Sequence, residues 1–237
     1  MIDDKLAKRI LTKVTAFWAE EIRKPYFASR VTGKEAGHDI AGLIEEKTTA
    51  EAITASDFVT RHQCDARGRA LKRSMADIWV ESNGIFHPVN VKTGVSDTNG
   101  QPNVVSLKKL LRTLLSQRID SYYLLIVKLK IAEPIESQVF FVDLLDYLDY
   151  VTFDSGPGQI MLKARLFFDA MNAGARPARR TVGQKVHKLM ELLEDGERRL
   201  AVNRRRVLTE LRKKVQDYEK LGRYEVTPES QAALNLR

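Results

Sequence analysis

Apolar residues recur at helical spacing near the start of the chain. Leu6, Ile10, Leu11, Val14, Phe17 and Trp18 fall on one side of a helix predicted over residues 3–23. Trp18 reads as a core residue of that stripe. A loop containing Pro25 and Gly33 leads to a second helix near 35–47. Residues 50–75 are polar and hard to assign to an element. Two apolar runs then flank Asn83-Gly84, the dipeptide that favours a tight hairpin turn, so a hairpin is predicted over about 76–92. Leu107, Leu110, Leu111, Leu114 and Leu115 form one apolar face of a helix predicted over 104–118. Strands follow at 122–131 and 138–142, the first apolar enough to lie inside a sheet. A short helix is predicted at 144–150. After the turn Ser155-Gly156-Pro157-Gly158 comes a strand at 159–164. Residues 181–221 read as one or two helices, with Gly196 as the candidate break. The order of elements is that of an α/β protein, with no internal repeat and no low-complexity segment.

Composition narrows the function classes. The chain has 237 residues and a formal net charge of +8, with an isoelectric point near 9.5. That balance favours a polyanionic partner. Cys64 is the single cysteine, so no internal disulfide can form and a reducing cytoplasm is expected. His38, His62, His87 and His187 have no metal-ligand spacing with it, which argues against zinc. The N-terminal segment is amphipathic and charged, unlike a signal peptide. The longest apolar run, residues 122–127, is too short to span a bilayer, so no membrane partner is expected.

The stretch with most chemistry is Ala76-Asp77-Ile78-Trp79-Val80 and its return strand Val89-Asn90-Val91-Lys92. Side chains alternate along a strand, so Asn90 and Lys92 share a face and Val91 points the other way. A hairpin brings Asp77 back toward that pair. An acid, an oxygen ligand and a lysine then meet. Such a group can bind a hard divalent cation through oxygen and place a positive charge beside a phosphate. An ordinary surface hairpin with polar residues is the plain alternative. Arg198, Arg199, Arg204, Arg205, Arg206, Arg212, Lys213 and Lys214 form basic runs farther on, which a solvated helix face explains more often than DNA contact.

The pattern Ala76-Asp77…Asn90-Val91-Lys92 resembles the PD-(D/E)xK nuclease core, with Ala76 in place of the proline and Asn90 in place of the second acid. Further segments are similar to HincII- and SwaI-type restriction endonucleases of the EcoRV-like branch. They are the polar loop from Thr93 that ends in Pro102-Asn103, the helix start Gly33-Lys34-Glu35-Ala36-Gly37-His38-Asp39-Ile40, and Gly156-Pro157-Gly158-Gln159-Ile160-Met161-Leu162 followed by Arg180-Thr181 and a long helix. The resemblance covers most of residues 30–195. It implies a single restriction-endonuclease-like domain over 1–237. That domain would have a central mixed β-sheet flanked by helices, a core at about 30–175, the N-terminal helix at 3–23 and a C-terminal helical region at about 181–221.

The resemblance also implies a function. A type II restriction endonuclease would use Mg²⁺ to hydrolyse phosphodiester bonds at a specific, palindromic site in double-stranded DNA, leaving 5′-phosphate ends. Asp77 and Asn90 would hold the metal and Lys92 would serve the reaction. Asp39, after the Gly37 of the matching helix start, is the first candidate for a further acid; Glu45 and Glu46 read as solvated helix acids. Asn103, Gln101 and Gln159 are candidate base contacts, since Asn and Gln can bind adenine through two hydrogen bonds. Asn103 could instead cap the helix predicted to begin at Val104. Arg179 and Arg180 lie in a loop suited to phosphate contact. A palindromic site calls for a homodimer, and a bacterial cytoplasm is the expected location.

Asn90 admits three readings: a natural variant with one good metal site, an Asp→Asn replacement that holds substrate uncut, or a non-cleaving homologue. The persistence of Lys92 and its flanks favours the second. A structure-selective or repair nuclease of the same fold and a DNA-binding protein without catalysis are the competing functions.

Overall fold

One strand feeds two cores. The computed structural model describes residues 1–27, 36–55, 60–72, 74–95, 101–116, 119–130 and 133–221, with the backbone alone at 36–40, 95, 219 and 221. Within it, Tyr123–Lys130 (β5) is buried on both faces almost along its length. Leu124 and Ile126 enter one hydrophobic core. Tyr123, Leu125, Val127 and Leu129 enter the other. This follows from the two-residue period of a strand and explains why the segment is a nearly continuous apolar run.

The strands are Thr60–Arg61 (β1), Ile78–Ser82 (β2), Ile85–Val95 (β3), Asn103–Ser106 (β4), β5, Glu136–Asp143 (β6), Val151–Asp154 (β7) and Gln159–Leu162 (β8). The main sheet has five strands in the order β1-β2-β3-β5-β6. It is mixed: β3 and β5 run parallel, while β1–β2, β2–β3 and β5–β6 are antiparallel. A second sheet has the order β4-β8-β7. The parallel β3–β5 pair needs a crossover, and β4 with helix Leu107–Leu115 lies in that connection.

Two helices supply one core. Asp4–Glu21 (α1) is capped by Asp3, whose Oδ1 accepts the Leu6 N–H at 2.8 Å. Its stripe of Leu6, Ile10, Val14 and Trp18 is buried as the periodicity predicts. Ala36–Ala55 (α2) packs against it, and the Trp18 indole N–H donates to Thr48 Oγ1 at 2.9 Å. The other core takes Leu107–Leu115 (α3), Ala164–Asn172 (α4) and Leu189 from Val182–Leu221 (α5). Leu107, Leu110, Leu111 and Leu114 of α3 are buried, each adding roughly 1.5–3 kcal/mol of apolar burial.

The predictions hold in outline and fail in detail. α3 begins at Leu107, because Val104 and Val105 belong to β4. Leu115 is 63% exposed rather than on the buried face. Residues 144–150 form two short 3-10 turns, Leu144–Asp146 and Leu148–Tyr150. Gly196 does not break α5.

The chain divides into two units, Met1–Leu193 and Glu194–Arg237. In the first, Lys185 is 4% exposed. Its Nζ donates to Asp143 Oδ2 at 2.8 Å and to the Asp120 carbonyl at 3.0 Å. In the second, Val202, Leu208, Leu211 and Val215 are exposed along α5. The basic runs there include partners within the helix, as in Arg199–Asp195 at 3.3 Å and Arg206–Glu210 at 3.9 Å. No helix among the described residues is long and apolar enough to cross a membrane.

Burial of His87 in β3 generates a pH prediction. The imidazole is 2% exposed, and burial lowers its pKa from 6.5 to about 4. An unfolded chain takes up this proton near its ordinary value, whereas the fold resists it. The His87 contribution is therefore fully present above the ordinary value and is lost as pH falls toward the lowered one. Urea midpoints of the parent and His87→Gln, measured above and below this window, check it. The variant should lose less stability on acidification than the parent; an equal loss in both would refute the assignment.

Candidate active site

A two-residue turn sets the site. Asn83 and Gly84 have φ values of 54° and 76°, the pair of positive angles that the tightest hairpins require. Pairing then runs from Ser82↔Ile85 to Ile78↔Val89. Continued by one residue, this register sets Asp77 across from Asn90. Asp77 lies just past the end of β2, where its Oδ2 accepts the Val91 N–H at 2.7 Å. The carboxylate thus replaces a ladder partner that β2 no longer provides, while Asp77 itself remains exposed.

Along β3, Val89 and Val91 enter the core beneath α1 and α2, which leaves Asn90 and Lys92 on the other face. Asn90 is 5% exposed. Its Nδ2 donates to the Val104 carbonyl of β4. Lys92 is mostly buried, and its Nζ lies 3.6 Å from Oε1 of Glu45 on α2. Burial pushes the Glu45 carboxyl above its ordinary range; the Lys92 charge opposes this and the Asp77 charge adds to it. Below them the Tyr122 hydroxyl donates to the Met75 carbonyl at 2.7 Å. Burial raises its pKa well above the ordinary phenol value, the Asp77 charge adds to the rise and the Asn90 amide opposes it.

Two clefts meet at Asp77. One, of about 430 Å³, is lined by Asp77, Asn90, Lys92, Asn103, Lys109 and Gln159 among others. The other, of about 680 Å³, is lined by Glu45, Glu46, His62, Lys72 and Asp77 among others. The first gathers amide groups and lysines around one acid. The second is richer in acids.

Five of the residues singled out from the sequence therefore share one cleft: Asp77, Asn90, Lys92, Asn103 and Gln159. Asn103 is not a helix cap. Ser106 holds that position before α3, and Asn103 is exposed at the start of β4. Gln101 is exposed next to Pro102, whose carbonyl accepts the Leu162 N–H at 3.1 Å. Arg180 is engaged within the protein. Its guanidinium donates to the Asp146 carbonyl at 3.1 Å and to the Asp149 carboxylate. Arg179 is exposed with φ 46°. The backbone of Asp39 lies in α2, and its side chain falls outside the described residues.

Glu45 is the residue that sequence reasoning set aside. Its neighbour Ile44 is fully buried, which anchors this turn of α2, but no local pattern announces a partner as distant in sequence as Lys92. Lys109, on the first turn of α3, also went unremarked.

The donor set suits a hard cation. Asp77 and Glu45 supply carboxylate oxygens. Asn90 supplies an amide whose Nδ2 donates to Val104, and its oxygen Oδ1 is the atom that could ligate a cation. Among the described residues no group of three or more His, Cys, Asp or Glu side chains is placed to hold a metal ion. Mg²⁺, however, is commonly held by one or two carboxylates and keeps several waters, so this smaller set fits it. No protein-family model matches the chain, and no curated protein matches it.

Proposed function

We propose that the protein is a Mg²⁺-dependent endonuclease of restriction-endonuclease-like fold. It would act on a specific, palindromic site in double-stranded DNA as a homodimer. The observation that carries this reading is the hairpin register. It places Asp77 across from Asn90 and beside the Lys92–Glu45 pair, in a cleft that Asn103 and Gln159 also line. The net charge of +8 supports a polyanionic substrate.

A phosphodiester resists attack because charge must be added to a centre that is already anionic. Asp77 and the Asn90 amide oxygen would hold Mg²⁺, with Glu45 beside them, and the ion supplies charge neutralisation and a more acidic bound water. Lys92 brings three N–H donors and a positive charge to the phosphate oxygens. Glu45 pairs with the Lys92 ammonium at 3.6 Å. Asn103 and Gln159 present amides of the type that pairs with adenine. A two-fold symmetric duplex site matches a two-fold symmetric protein. The product ends would be a 5′-phosphate and a 3′-hydroxyl.

A second reading, duplex binding without cleavage, is favoured by one observation. Asn90 is already used as a hydrogen-bond donor to Val104, a role that an ionised aspartate cannot fill.

Three variants test these readings. Asn90→Asp should cut a sequenced plasmid into discrete fragments with Mg²⁺, at a rate at least about tenfold above the parent, the smallest effect usual for groups around a metal. A rate no higher than the parent would favour the binding protein. In that background, Lys92→Ala should lower cleavage by about 10²-fold or more and leave duplex affinity within a few-fold in a gel shift. Near-parental cleavage would remove Lys92 from the reaction. Asn103→Ala should cost about 1–3 kcal/mol on the cleaved site and little on random duplex at the same salt, with no change in melting temperature. Equal loss on both DNAs would rule out base reading.

A further inference from the structure

β4 pairs with β8 through Asn103↔Met161, Val105↔Ile160 and Ser106↔Gln159, with a shift of register between Asn103 and Val105. Val104 is the extra residue of a β-bulge. A bulge leaves one residue out of the ladder and re-aims its neighbours. The Val104 carbonyl does find a partner, the Nδ2 of Asn90 on β3, a strand of the other sheet. Asn90 is 5% exposed and Val104 6% exposed, and a buried carbonyl left unpaired is costly. The bulge and the Asn90 amide therefore need each other.

Asn103 precedes the bulge, and Ser106 at the other end of β4 occupies the N-cap position of α3. The flanks are pinned independently. The Leu162 N–H donates to the Pro102 carbonyl at 3.1 Å, and the Leu107 N–H donates to the Gly158 carbonyl at 3.2 Å. Between these fixed points, the Asn90–Val104 bond ties β4 to the strand that carries Lys92.

From this we infer that Asn90 is a positioning residue, whose Nδ2 holds the β4 bulge and so sets where Asn103 stands in the cleft. Its link to base reading rests on the proposed function; its hold on the bulge does not. The amide has two ends with separate tasks. Oδ1 would serve a cation in the cleft, and Nδ2 serves the segment that would read DNA. A carboxylate at this position keeps the first task and loses the second.

Backbone amide exchange in EDTA tests the hold. In both Asn90→Ala and Asn90→Asp, the amides of 103–106 should exchange about tenfold faster, as for the loss of one buried hydrogen bond. The β5–β6 ladder should keep its protection, which separates local loosening from general unfolding. Asn103→Ala should leave protection of β4 unchanged. Unchanged exchange at 103–106 in both Asn90 variants would overturn the inference.

Selection from a random duplex pool with Ca²⁺ tests the link to reading. The parent should enrich a motif, and Asn90→Ala should relax it at the base positions that Asn103→Ala relaxes. An intact motif, or relaxation at other positions, would overturn that link. A parent that enriches no motif overturns the proposed function and the link together, and exchange still decides the hold on the bulge.

Discussion

The register of one hairpin governs everything at the candidate site. A strand has a period of two, so a slip of one residue would exchange its two faces. Such a slip in β3 would send Asn90 and Lys92 into the core now filled by Val89 and Val91, and would bring the valines to the cleft. Asn83 and Gly84 prevent it. Their positive φ angles fix a two-residue loop, and only one pairing is compatible with that loop. Asp77 then reinforces the choice from the open end, by accepting the Val91 N–H that β2 is too short to pair.

Charge is arranged with the same economy. Lys92 is mostly buried, and a lone buried ammonium is costly. Glu45 offsets that cost from α2 at 3.6 Å. Burial and Asp77 both work against the ionised form of Glu45, and Lys92 works for it. Three groups from three elements thus hold one another's charges in balance. A phosphate beside Lys92 or a cation beside Asp77 would change the balance for the whole set. This coupling separates the cleft from an ordinary polar surface hairpin, whose residues would be solvated independently.

What was legible in the sequence was local or strictly periodic. The α1 stripe, the Asn83-Gly84 turn, the apolar β5 and the leucine face of α3 each announce themselves within a dozen residues. Asp77, Asn90 and Lys92 could be brought together because a hairpin is a local object. What failed depended on distant neighbours. Val104 and Val105 adjoin a leucine stripe and read as its first turn, yet they belong to β4, where Val105 pairs with Ile160 of β8. With β4 in that place, the capping role for Asn103 disappears. Leu115 continues the spacing of α3 but falls at its exposed end. Glu45 looks like any helix acid until the packing of α2 over β3 supplies Lys92.

Asn90 shows why the choice between an amide and a carboxylate at such a position is not a question about metal affinity alone. A carboxylate binds Mg²⁺ better, since charge adds to coordination. It also turns a donor into an acceptor, and here the neighbour is a carbonyl on a bulge. Two facing oxygens repel unless a proton or a cation comes between them. With Asn90 in place, the bulge is satisfied without any ion. With aspartate, the geometry of β4 would depend on what occupies the cleft. The same single-atom difference would thus move β4 between a geometry held by the fold itself and one held by whatever cation or proton lies between the two oxygens.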